Sequence, residues 1–85
     1  MNLGERVLIL RRRNRMTQRE LAKEAGLNAN TIARLEQGNL HDLLGQSLGK
    51  LARALGTTTD YLIGMTEESG VESEYVPAGD ALGVA

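Results

Sequence analysis

Asn30, Arg34 and Gln37 stand three or four residues apart, the spacing that gathers side chains onto one face of a helix. All three end in flat amide or guanidinium groups, Ala33 lies beside them, and Ala29 sits at the exposed N-terminal end of the same segment. At about 100° per residue, Ile32 and Leu35 mark the opposite, buried side, and no acid shares the polar face. Packing does not call for these polar residues, which leaves two readings: a solvated face, or one that recognises a partner by hydrogen bonding. A catalytic alternative has little to work with. The single histidine, His41, and Ser47 have no third partner, and the acids sit at helix starts or near the C-terminus. One histidine without any cysteine makes no metal-ligand set, and no cofactor is expected.

The elements that must hold this face are short helices with clear punctuation. Asn2 and Glu5 form a capping pattern for a first helix over residues 3–14, whose inward stripe is Leu3, Val7 and Leu10. Leu8 and Ile9 lie beside that stripe. Thr17 and Glu20 form a second capping box, starting a helix that buries Leu21 and Ala25 and stops at Gly26. Asn28 caps the third helix, which ends at Gly38. The loop "NLHDLLGQ" leads to a fourth helix over residues 47–55 with Leu48, Leu51, Ala52 and Leu55 inside, Asp42 capping a turn and Gly45 making the bend. A fifth helix, capped by Thr57 or Thr58 and closed by Gly64, supplies Tyr61 as the aromatic anchor of an otherwise aliphatic core. The expectation is an all-α fold of five helices over residues 1–64.

Within 85 residues, no disulfide can form and the core must stand on packing alone. The longest apolar run is far shorter than the roughly 20 residues a membrane span needs, and nothing resembles a secretory signal, so a cytoplasmic location without membrane contact is expected. A net charge of −1 hides a division. Residues 1–64 hold all ten Lys and Arg against six acids, whereas residues 65–85 hold five acids and no base. That division reads as a basic domain followed by an acidic, disordered tail.

In order and spacing, "MTQRELAKEAGL", "TIARLEQG" and "LGKLARALGTTTDYLIG" resemble the Cro and lambda-repressor type of helix-turn-helix domain, over roughly three-quarters of the chain. The resemblance places the helix-turn-helix at residues 18–37 and makes the third helix the one that enters the major groove of double-stranded DNA. It implies base contacts by Ala29, Asn30 and Arg34, with Arg34 suited to guanine and Asn30 to adenine. It implies phosphate contacts by Gln18, Asn28, Thr31, Gln37 and Asn39, which set register without reading sequence. It also implies an inward ion pair between Arg11 and Glu36. Arg12, Arg13 and Arg15 make either a phosphate-binding patch or a solvated face.

One stretch departs from the family. Where a basic loop and a proline commonly follow the third helix, this chain has Leu40, His41, Asp42, Leu43, Leu44 and Gly45, so only Asn39 and His41 remain as phosphate donors there. Leu40, Leu43 and Leu44 either tuck onto the core or form part of a two-fold interface. In the tail, "VPAGDALGVA" faintly resembles the Ala–Gly cleavage region of self-cleaving repressors, at Ala78 and Gly79, without the catalytic domain that cleavage requires. Two functions compete. The first is a repressor that binds a palindromic operator as a homodimer, its acidic tail competing with DNA for the basic face. The second is an antitoxin-like interaction protein of the same fold, which binds a protein partner through the tail or the exposed leucines and regulates its own operon.

Overall fold

A computed structural model describes residues 1–67. Expectations about the tail from residue 68 onward, the Ala78–Gly79 stretch included, lie outside the described residues. Five helices follow one another: α1 (Leu3–Arg13), α2 (Gln18–Ala25), α3 (Ala29–Gln37), α4 (Gly45–Leu55) and α5 (Thr59–Leu62). The all-α expectation holds, and among the described residues there is no strand and no helix long and apolar enough to cross a membrane.

Side-chain capping decides where most helices begin. Asn2 with Glu5 and Thr17 with Glu20 each form the full reciprocal box, so two amides that a helix start leaves without partners are satisfied at each site. Asn28 accepts from the Asn30 amide, and Thr58, rather than Thr57, accepts from the Tyr61 amide. The start of α4 differs from expectation. It begins at Gly45, two residues early, and its N-cap is Leu44, which offers no side-chain acceptor. Gly45 is the first helical residue and not a bend, while Asp42 accepts from the Leu43 amide next to it.

Every helix ends the same way, with a residue in the left-handed region and paired hydrogen bonds that close the last turn. Glycine serves at positions 26, 38, 56 and 64, but Arg15, with φ 59°, does so after α1. Accordingly α1 stops at Arg13, with Asn14 as its cap, one residue before the expected end. The Asn14 side-chain amide then donates to the carbonyls of Leu10 and Leu55, tying the end of α1 to the end of α4.

The core is the expected aliphatic set. Val7, Leu10, Leu21, Ile32, Leu35, Leu51 and Leu62 are fully buried, with Leu3, Ala25, Leu48, Leu55 and Tyr61 around them. Burial of this apolar surface is the main force holding the helices together. Gly4 sets one crossing: a Cβ there would lie 1.8 Å from the carbonyl oxygen of Leu35. The backbones of α1 and α3 approach so closely that only hydrogen fits. The loop leucines divide, because Leu40 and Leu43 pack on the core whereas Leu44 stays 80% exposed. Of the two neighbours of the α1 stripe, Leu8 is half-buried and Ile9 is exposed.

Candidate nucleic-acid interface

The turn between α2 and α3 follows from three residues. Gly26 adopts φ 67°, Leu27 returns its amide to the Ala22 carbonyl at 2.8 Å and packs its side chain on the core, and Asn28 opens the next helix. Ala22, 3% exposed, is small enough for α3 to cross close to α2. With Ile32 and Leu35 wholly buried, α3 has one rotational setting, and that setting turns Asn30, Arg34 and Gln37 to solvent. Thr31 and Ala33 are half-buried on its flanks. Ala29 is also half-buried and packs partly on the core, which leaves only part of its methyl surface outward.

A polar cluster braces the same unit from behind. Arg11 meets Glu36 in a two-pronged contact, Nε to Oε2 at 2.6 Å and Nη2 to Oε1 at 2.9 Å, while Nη1 donates to the Met16 carbonyl at 2.8 Å. The side chains of Arg11 and Glu36 are only 14% and 5% exposed. The hydrogen bonds that Arg11 donates to Glu36 raise the Arg11 pKa above its ordinary value, against the opposing effect of burial and with help from the charge of Glu36. A raised pKa contributes stability that is fully present below the unfolded value and is lost only as pH climbs through the still higher folded value. That window lies far into alkali, so the brace is insensitive to pH near neutrality.

Gln18 joins this cluster, its side-chain Nε2 donating to Glu36 Oε1 at 2.9 Å. The residue expected on a phosphate thus spends one of its two amide hydrogens inside the protein and keeps the other. Asn28 spends its Oδ1 on the cap, leaving its amide hydrogens as donors at the entry to α3. Gln37 and Asn39 meet each other at 3.3 Å where α3 ends. The structure therefore brings Asn30, Arg34 and Gln37 together on the open face, and gathers Arg11, Gln18 and Glu36 behind it. Asn14, Gly4 and Arg6 escaped the sequence-based reading. A helical wheel flags Arg6, since it falls beside Leu10 in the buried arc, whereas nothing local marks the other two.

With this arrangement in view, a comparison with known families is decisive: residues 8–62 match the helix-turn-helix family of the Cro and C1 type. The chain belongs to that family. Its members are DNA-binding transcription regulators, not typically enzymes. No curated protein gives a significant match to the chain. The match takes in the second half of α1 and all of α2, α3, α4 and α5. Among the described residues no group of three or more His, Asp or Glu is placed to hold a metal ion.

Proposed function

We infer that the protein is a repressor that binds a palindromic operator as a homodimer in the cytoplasm, laying α3 in the major groove of each half-site. The observation that carries this is the outward face of α3, where Asn30 and Arg34 stand one turn apart, free of acids, on a helix locked by Ile32 and Leu35. Arg34 reads guanine through O6 and N7, Asn30 reads adenine through N6 and N7, and the exposed part of Ala29 meets a thymine methyl. Asn28, Thr31, Gln37, Asn39 and the remaining amide hydrogen of Gln18 hold phosphates and set the register. The reading and holding residues belong to residues 1–64, with the acidic tail outside this unit.

Two copies would place their α3 helices about one turn of DNA apart, roughly 10 base pairs between half-site centres. Leu44, exposed in the loop beyond α3, is the apolar residue of that loop available to a two-fold partner. Leu40 and Leu43 are committed to the core and support the loop instead.

Selection of bound sequences from random duplex DNA tests the assignment, with wild type and Arg34→Ala side by side. The expected outcome is an inverted repeat, and for Arg34→Ala a loss of about 1 to 3 kcal/mol together with relaxed preference at one base pair per half-site. A uniform loss across all sequences would remove Arg34 from the base-reading set. Failure of a folded protein to enrich any motif at low salt would favour the antitoxin-like reading, in which a protein partner is the principal ligand.

A further inference from the structure

Arg6 is a buried charge, 4% exposed on the flank of α1 that meets α5. Its guanidinium stacks on Tyr61, 4.6 Å from the ring centroid, and its Nη2 lies 3.5 Å from the carboxylate of Glu67. Nε and Nη1 have no hydrogen-bond partner although both are fully buried. A ring face attracts a cation but does not accept its hydrogen bonds as a carboxylate or carbonyl does, so this group is still short of acceptors. Glu67 is 88% exposed, and it is the first acid of the segment that leaves α5.

Beyond Arg6 the same flank continues with Ile9, 39% exposed, and Arg13, with Arg12 next to it. Neither Arg12 nor Arg13 forms an ion pair among the described residues, and the acid of α1, Glu5, is engaged in its cap. From Arg6 to Arg13 the helix rises about 10 Å, a distance that about three or four extended residues cover. The chain after Glu67 reads Glu68, Ser69, Gly70, Val71, Glu72, Ser73 and Glu74, an acid, small residues, one aliphatic side chain and two more acids. Charge and reach both match the flank.

We propose that this flank of α1 is the docking surface for the protein's own acidic segment, residues 67–74. Arg6 anchors it through Glu67 and a further acceptor, and Ile9, Arg12 and Arg13 offer it an apolar contact and two positive charges along the helix. Gly4, which faces α3, lies roughly 160° around α1 from Arg6. The segment is thus held on the side away from α3, and acids that would otherwise compete for Arg34 are kept off the face that meets DNA.

The chain has no cysteine, so Val76→Cys gives a single attachment point for a nitroxide on the full-length protein. The expected result in amide spectra is selective loss of the signals of Ile9, Arg12 and Arg13. High salt should restore them, and so should the surface substitution Glu67→Gln. Signal loss centred on Asn30 and Arg34 would overturn the proposal by placing the segment on the DNA face, and loss nowhere would overturn it outright. A mixture of nitroxide-bearing unlabelled protein with isotope-labelled protein lacking the nitroxide completes the test. Loss of α1 signals in that mixture would mean docking onto a second copy, which overturns the intramolecular arrangement.

Discussion

On the flank of α1 that faces α3, Arg11 has all three guanidinium nitrogens hydrogen bonded within the protein. On the flank that faces α5, Arg6 is more deeply buried and has one nitrogen near a carboxylate. Two arginines five residues apart on one helix are therefore in opposite conditions. The first is a closed brace: its partner Glu36 belongs to α3, so the contact transmits the position of α1 to the helix that carries the reading face. The second is an unfinished site, whose remaining needs point outward along the chain. Burial of a charge alone does not separate a structural residue from one that receives a further partner, and the census of its hydrogen bonds does.

Substitutions can break this contrast. Arg11→Met strands the buried Glu36 carboxylate and should lower unfolding stability by about 3 to 5 kcal/mol in urea titration. An unchanged midpoint would deny the brace any energetic role. Gly4→Ala, on the same flank, drives a methyl into the Leu35 carbonyl and should cost about 1 to 3 kcal/mol. Because it displaces α3, it should also weaken any DNA binding of the folded fraction. On the other flank Arg6→Met should shift stability by no more than about 1 kcal/mol, since it loses the ring contact but also removes two buried donors without partners. A loss as large as that of Arg11→Met would erase the contrast. The smallest effect is expected at the end of the helix, where Arg15→Gly relieves a left-handed side chain and should stabilise by about 0.5 kcal/mol after the greater freedom of glycine in the unfolded chain is counted. Thermal unfolding resolves that difference if both proteins are measured side by side.

What could be read from the sequence was what neighbouring residues decide among themselves. Both capping boxes, the glycine stops and the Ile32 and Leu35 stripe follow from spacings of three or four, and each stands in the structure as expected. The open face of Asn30, Arg34 and Gln37 followed from the same rule. The early start of α4 did not, because Leu44 has no capping side chain and Gly45 has poor helix propensity, so the entry is set by Leu48 reaching the core. Arg15 escaped because arginine has no preference for the left-handed region, and its conformation is imposed by where α2 must begin. Asn14 acts on Leu55, 41 residues away, and Gly4 acts through a backbone it meets only once α3 is in place. Gln18 shows the same limit within the site, since its tie to Glu36 depends on how three helices meet.

The unusual start of α4 has a kinetic side. With Leu44 in place of a hydroxyl or amide, the amides of Gly45, Gln46 and Ser47 have no side-chain acceptor, whereas at α1, α2 and α3 one such group is held. Measured by exchange with deuterated water, these three amides should trade their hydrogens ahead of the capped first turns, and the fourth helix should loosen from its front while its glycine-closed end stays tied to Asn14.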